Sequence, residues 1–162
     1  MDERIEFLLL EVNKLHARKK LSQTVGADYF EPGMMEYLDQ SEGLYNGETG
    51  EVLLRFEVKG TRYEGRTEQI EKVQLLDDIL LRRDEKNIYN ANNFEILTST
   101  EKSLGNMPAE LCNVIAPLYD SGELQLLKAH VSYVEPISKR SRHAKQAVLF
   151  VELKLRIQNC YN

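Results

Sequence analysis

The chain of 162 residues has little cysteine, no long apolar run and no excess of positive charge. Each shortage excludes something. Two cysteines, Cys112 and Cys160, do not make a disulfide framework. They read as ordinary thiols of a reducing compartment. The longest purely apolar runs are Phe7 to Leu10 and Ala147 to Val151. Both fall far short of the roughly 18 residues that a membrane helix needs. The start, Met1-Asp2-Glu3-Arg4, is charged and lacks a basic segment ahead of an apolar one. No signal peptide is expected, and the expected location is cytoplasmic. The net charge of −5 means that the chain as a whole is no polycation for nucleic acid.

The usual marks of catalysis are also missing. No Gly-x-x-x-x-Gly-Lys-Ser/Thr loop is present, so nothing points to nucleotide hydrolysis. His16, His130 and His143 are scattered, and neither cysteine has a second cysteine at metal-ligand spacing. No metal site is expected. There is no Gly-x-Ser-x-Gly elbow. Asp77-Asp78 is a carboxylate pair, but neighbours on a strand point to opposite faces. It reads as a turn or strand entry. The expectation is a non-enzymatic protein without a cofactor. The length suits one globular domain with a short appendage, and leaves no room for a two-lobed ATP-driven motor.

What is present is unevenly spread. Residues 1–50 carry 10 acidic and 5 basic side chains, and residues 51–162 carry 16 of each. The shift coincides with the turn signal Asn46-Gly47-Glu48-Thr49-Gly50. This predicts an acidic, helical N-terminal extension over 1–50 and a second domain over 51–162. In the extension, Ile5, Leu8, Leu9, Val12 and Leu15 recur at steps of three and four, which predicts an amphipathic helix over 3–18. One helical turn is expected around Met34–Leu38.

After residue 50 the period changes. Val52–Val58 alternates apolar and polar residues and predicts a strand. Further strands are expected over Gln74–Arg82, Phe94–Thr98, Leu124–Val134 and Ala147–Ile157. Pro108–Tyr119 has helix-start chemistry, with Leu111, Ile115 and Leu118 on one face and Ser121-Gly122 as its stop. Five strands and one inserted helix predict a mainly β fold, a small closed or nearly closed OB-like barrel.

Three segments carry binding chemistry. Arg62, Tyr63 and Arg66 cluster within Lys59–Arg66. Asn87-Ile88-Tyr89-Asn90-Ala91-Asn92-Asn93 holds four asparagines and one tyrosine in seven residues. Tyrosine rings stack on bases, arginines pair with phosphate, and amides both donate and accept. Polar turn chemistry alone also explains such a loop. Ser138–Lys145 holds four fixed positive charges, Lys139, Arg140, Arg142 and Lys145. It suits a phosphate-facing hairpin tip, or equally a solvated loop that guards a sheet edge.

At these residues the sequence resembles the HIRAN domain, from about Glu51 to Ile157. Gly60-x-Arg62-Tyr63-x-Gly65-Arg66 is similar to the family's opening block. Leu76-Asp77-Asp78-x-x-x-Leu81-x-Arg83 resembles the strand that follows. Asn87-Ile88-Tyr89-Asn90-x-Asn92-Asn93 resembles the signature Asn-Pro-Tyr-Asp-x-Asn-Ala. Leu104-Gly105-Asn106-Met107-Pro108-x-Glu110-Leu111 and Leu118-Tyr119-Asp120-Ser121-Gly122 resemble the next block and the end of its helix.

The resemblance implies a modified OB-like barrel of the small stand-alone bacterial type. Other members of the family are fused to SNF2-type translocases that remodel stalled replication forks. It implies capture of single-stranded DNA at a 3′ end. Tyr89 would stack near the terminal nucleotide, Asn90 would stand where the family's aspartate takes the 3′-hydroxyl, and Arg62 and Tyr63 would line the same pocket. Three departures stand out. Ile88 replaces the signature proline and removes its fixed φ. Asn90 replaces the aspartate, which removes the charge that strengthens the bond to a hydroxyl. Met107, Pro108 and Ala109 fill the stretch where fused members carry a lysine.

The expected function is single-stranded DNA binding at or near a 3′ end, in DNA repair or fork processing. The expected site comprises Arg62, Tyr63, Arg66, Asn87, Tyr89, Asn90, Asn92, Lys139, Arg140 and Arg142, with no catalytic or metal residue. The partners are single-stranded DNA or DNA ends and a separately encoded helicase or nuclease, with no membrane. The rival reading is a protein-interaction adaptor that docks through the N-terminal helix and the barrel surface.

Overall fold

The computed structural model describes residues 44–46, 51–63, 65–140 and 144–157. The helix expected over 3–18, the turn around Met34–Leu38, Arg142 and Cys160 lie outside these residues.

The strongest local pattern becomes a central strand. In β2 (Glu51–Glu57), Leu54 and Phe56 are buried, and so is Val58 just beyond it, while the alternating Leu53, Arg55 and Glu57 are half-buried. That is the period of two expected of a half-buried strand. A short β1 (Leu44–Asn46) pairs with β2 on one side, ahead of the boundary expected near residue 50. The long strand β7 (Val148–Ile157) pairs with β2 on the other side, in a register that sets Arg55 opposite Glu152 in an ion pair. β6 (Leu124–Glu135) completes a four-stranded antiparallel sheet of order β1-β2-β7-β6. Two register shifts in β6, after Leu126 and after Val131, bend this ribbon.

A second sheet holds β3 (Ile79–Asp84), β4 (Asn93–Thr98) and β5 (Ser103–Asn106) in that order. The two sheets meet along two seams, each held by one bridge, Lys59 with Asn106 and Asp78 with His130. The mainly β class therefore holds, but the barrel is not closed. Backbone contact at the first seam is tight. A Cβ on Gly105 would lie 2.4 Å from the Lys59 carbonyl oxygen and 2.4 Å from Val58 Cγ1, so only glycine fits there. Between the sheets lies one core, which includes Phe56, Ile70, Phe94, Ile96, Leu104, Val131, Leu149 and Leu153. Full burial of each such side chain contributes on the order of 1.5–3 kcal/mol.

The inserted helix is α2 (Ala109–Asp120), preceded by the five-residue α1 (Arg66–Ile70). Pro108 stands just ahead of α2, and Gly122 follows it at positive φ. The helix buries Leu111, Cys112, Val114, Ile115 and Ala116, and Leu118 packs partly on the same core. Cys112 is an inert core thiol: burial pushes it up to about 11.

β3 starts five residues later than the sequence predicts. The Asp77 carboxylate accepts from the Gln74 N–H at 2.9 Å, and the Asp77 N–H donates to the Gln74 carbonyl at 3.1 Å. This closes a turn through Leu75 and Leu76, both exposed, with Leu76 at φ 72. The apolar pair that suggested a strand is thus on a turn. Asp77-Asp78 is the strand entry, as expected. α1, β1, β5 and a 3-10 turn at Ile137–Lys139 carry no periodic signal. Among the described residues no helix is long and apolar enough to cross a membrane.

Candidate nucleic-acid interface

A cleft of about 710 Å³ opens beside the Lys59–Asn106 seam. Its first wall is the segment that leaves β2. Gly60 bends the chain at φ +71, and a Cβ there would lie 2.9 Å from Arg66 Nη1. Buried Thr61 donates from Oγ1 to the Ala147 carbonyl at 3.2 Å, and Thr67 Oγ1 donates to the Thr61 carbonyl at 3.2 Å. With the backbone held this way, Arg62 and Tyr63 face solvent. The Arg62 guanidinium lies over the Tyr63 ring, 4.8 Å from its centroid. Tyr63 lines the cleft and is 51% exposed.

Arg66 also lines the cleft, but as a buttress. Nε donates to Ser103 Oγ at 3.0 Å, Nη1 to the Gly60 carbonyl at 3.0 Å, and Nη2 reaches Glu95 Oε2 at 3.4 Å. Glu95 on β4 forms the floor, held also by Ser103 Oγ at 2.7 Å and by Arg82. Burial pushes its carboxyl up, yet hydrogen bonds from Ser103 and Arg82 and the nearby arginine charges outweigh it. Glu95 is held below the ordinary carboxylate range and stays ionised.

The second wall is the asparagine-rich loop between β3 and β4. Asn87 organises it. Its Oδ1 accepts from the N–H groups of Tyr89 at 2.9 Å and Asn90 at 3.0 Å, and its Nδ2 donates to Asp84 Oδ2 at 3.0 Å. Asn90 Oδ1 accepts from the Asn92 N–H at 2.9 Å. The side-chain amides of Asn90 and Asn92 both donate to Asn113 Oδ1 on α2, at 3.1 and 3.3 Å. Asn93 Nδ2 donates to Asp84 Oδ2 at 3.1 Å and to Asn106 Oδ1 at 3.0 Å. The asparagines thus bind the loop to itself and to the scaffold. The large apolar and aromatic side chains left outward are Ile88, 87% exposed, and Tyr89, 90% exposed, beside the exposed charges of Glu85 and Lys86. Tyr89 and Asn87 line the cleft; Asn90 and Asn92 do not.

A brace fixes the far end of this loop. Arg83 makes a two-pronged pair with Asp120 at the end of α2, at 2.9 and 2.8 Å. Its Nη1 donates to the carbonyls of Ala91 and Asn93, and its guanidinium lies over the Phe94 ring. The hydrogen bond from Arg83 holds the Asp120 carboxyl below its usual range. Arg83 and Asp120 lie in two separate blocks of the sequence resemblance, and the fold joins them. Asp84, Glu95, Asn106 and Asn113 were not singled out by sequence. Their types are common, and only the tertiary pairing gives them a role.

The described residues of the basic hairpin lie elsewhere. Lys139 is exposed, Arg140 Nη1 donates to the Gln146 carbonyl at 3.1 Å, and neither lines the cleft. Ser138 donates from N and Oγ to the Glu71 carboxylate at 3.0 and 2.7 Å, which ties the hairpin to the residue that caps α1. Among the described residues no group of three or more His, Cys, Asp or Glu could hold a metal ion.

Of the ten expected site residues, Tyr63, Arg66, Asn87 and Tyr89 line one cleft, and Arg62 stands beside it on Tyr63. The model of the HIRAN domain family matches residues 52–151. No curated protein matches the sequence. Among solved structures, a protein from Lactobacillus plantarum is 20% identical, over 66% of this chain and 99% of that one, with a TM-score of 0.50. The crystal structure of the HIRAN domain of human HLTF is 20% identical, over 67% and 82% of the two chains, with a TM-score of 0.49. The NMR structure of the HLTF HIRAN domain in its DNA-bound conformation is 19% identical, over 65% and 76%, with a TM-score of 0.44. With a family model matched over more than half of its length, and both sheets inside or overlapping that match, this chain belongs to the HIRAN domain family.

Proposed function

We propose that this protein is a non-enzymatic module that binds single-stranded DNA at or near a 3′ end, with the terminal nucleotides seated between Tyr63 and Tyr89. The observation that carries this reading is Tyr89. A tyrosine 90% exposed, flanked by Asn87 bonded to Asp84 and by Asn90 bonded to Asn113, is a ring held ready for a flat partner. Tyr63, with Arg62 over its ring, offers a second platform and a cation for phosphate. Family membership supports the ligand class, because the HLTF member is known in a DNA-bound conformation. The asparagines hold the loop, and Arg66 holds the wall. The cellular setting proposed with this is cytoplasmic DNA repair or fork processing in a bacterium, alongside a separately encoded helicase or nuclease.

Stacking contributes about 1–3 kcal/mol per base. Two tyrosines and few cations therefore give affinity no tighter than about micromolar, for which about −8 kcal/mol is needed. The test is fluorescence anisotropy with a 5′-labelled single-stranded oligonucleotide at low and moderate salt. Saturable, salt-sensitive binding that Tyr89→Ala weakens supports the site. Binding unchanged in Tyr89→Ala refutes it.

A second reading, docking of a protein on the barrel surface, has one observation in its favour. Leu75, Leu76 and Leu80 are exposed around the entry to β3. Loss of a co-purifying protein in Leu76→Asp, with DNA binding intact, would support it.

A further inference from the structure

The polar atoms of the cleft separate into those already bonded and those open to a ligand. The three nitrogens of Arg66 are engaged, and both oxygens of Glu95 are engaged by Arg82, Arg66 and Ser103. Both ends of the Asn87 amide are engaged. Asp84 differs. Its Oδ2 accepts from Asn87 Nδ2 and from Asn93 Nδ2, and among the described residues nothing donates to Oδ1. Asn106 mirrors it. Its Oδ1 accepts from Asn93, and its Nδ2 has no acceptor among the described residues. Asn93, only 7% exposed, joins the two by donating to both. Asp84 and Asn106 both line the cleft that Tyr63 and Tyr89 share.

We propose that Asp84 Oδ1 is the group that accepts the terminal sugar hydroxyl of the bound strand, with Asn106 Nδ2 as a companion donor, and that Asn90 takes no part in this contact. The inference rests on the reading that the cleft receives a DNA end. Two facts single out Asp84. It is the cleft carboxylate with an oxygen still open, and two N–H groups on its other oxygen orient it before the ligand arrives. Asn90 lies outside the cleft, with its amide turned to Asn113 and its oxygen on the Asn92 N–H. A charged acceptor strengthens a hydrogen bond from a hydroxyl. The same charge repels a phosphate at that point. The charge that residue 90 lacks is therefore supplied from the end of β3, and discrimination of end chemistry survives in this chain.

The test uses the full chain and three 5′-labelled oligonucleotides of one sequence, ending in 3′-hydroxyl, 3′-hydrogen or 3′-phosphate. In the wild type the hydroxyl end is expected to bind on the order of tenfold tighter than the hydrogen end, from one charge-assisted hydrogen bond. The phosphate end is expected to bind weakest. Asp84→Asn is the informative variant. Its carbonyl oxygen can still accept from Asn87 and Asn93, while a donor replaces the open acceptor. It is expected to bring the hydroxyl-to-hydrogen ratio to about one and to relieve the penalty on phosphate. Asn90→Ala is expected to weaken all three ends alike and to keep the ratio. A wild-type ratio of one, a ratio unchanged in Asp84→Asn, or a ratio abolished by Asn90→Ala overturns the inference. If Asp84→Asn loses its folded circular dichroism, Asp84→Ser carries the same comparison. Failure of the cleft reading is distinct: no oligonucleotide binds, or Tyr89→Ala changes nothing.

Discussion

The loop between β3 and β4 and the hairpin between β6 and β7 look equally suited to nucleic acid in the sequence. One offers amides and a tyrosine, the other four positive charges. The structure separates them. In the first, the asparagine side chains bond inward, to Asp84, Asn113 or a neighbour's backbone, and the loop leaves outside the large side chains of Ile88 and Tyr89 next to the charged Glu85 and Lys86. In the second, Ser138 and Arg140 bond inward, and among its described residues Lys139 and Lys145 are left outside as solvated charges. An exposed ring on a fixed backbone loses little entropy when a base stacks on it. An exposed lysine is mobile, hydrated and screened by salt. On the reading proposed above, what distinguishes the first loop is its exposed ring and not a free charge, since both loops present an exposed lysine.

The largest effect that could break this comparison is at the ring itself. Tyr89→Ala is expected to lower affinity for single-stranded DNA by about tenfold or more, from the loss of one stacked base. Anisotropy titration measures it. An effect smaller than that of Lys139→Ala would reverse the ranking of the two loops.

Next come the groups that hold the ring in place. Arg83→Ala removes the Asp120 pair and leaves the carbonyls of Ala91 and Asn93 without their donor. A loss of about 2 kcal/mol in urea denaturation is expected, together with weaker DNA binding. Asn113→Ala removes two neutral hydrogen bonds at the loop's other anchor. It should cost about 1 kcal/mol and reduce affinity without altering which 3′ end is preferred.

Acid sharpens the comparison because a carboxylate anchors each loop. Asp120 is lowered chiefly by the Arg83 hydrogen bond, and Glu71 chiefly by the Ser138 hydroxyl. A carboxyl lowered in the folded state contributes stability above its unfolded value and loses it as pH falls through the folded one. Both contributions are thus complete at neutral pH and fade below about pH 4. Asp120→Asn should flatten that acid limb of a stability–pH curve. A limb of unchanged slope would show that the Arg83 brace adds nothing.

How much of this was legible follows from what each signal needs. β2, β4, α2, β6 and β7 are long or strongly periodic, and their sequence patterns match the structure. β5 has four residues, one of them a glycine forced by the Lys59 backbone, and it has no alternation to read. α1 has five residues and begins at Arg66, the last residue of the opening block. The start of β3 was misread because Leu75 and Leu76 look like strand, while the turn is made by a side chain three residues from its partner. At the proposed site, Tyr63 and Tyr89 stand out in the sequence because aromatic residues in polar loops are unusual. Asp84 was not, because an aspartate becomes notable only when one oxygen is tied and the other is open. Asn90 was read by its position in a motif, and its geometry depends on Asn113, far along the chain.

The smallest expected effect is at the hairpin, and it is the most diagnostic for charge. A single strand loses affinity with a log–log salt slope of about 0.7 for each phosphate contact. If Lys139 touched phosphate in the bound state, Lys139→Ala would lower that slope by about this amount. The Lys139 side chain lies outside the cleft, so on the proposed seating its field reaches the strand through water, where the Debye length is about 10 Å at 0.1 M salt. Lys139→Ala is therefore expected to change affinity by less than about twofold at moderate salt, and to leave the slope unaltered. Arg62→Ala, beside Tyr63 at the cleft, should lower the slope by the full contact. A pair of salt titrations that gave the larger change to Lys139 would move the phosphate path from the cleft to the hairpin.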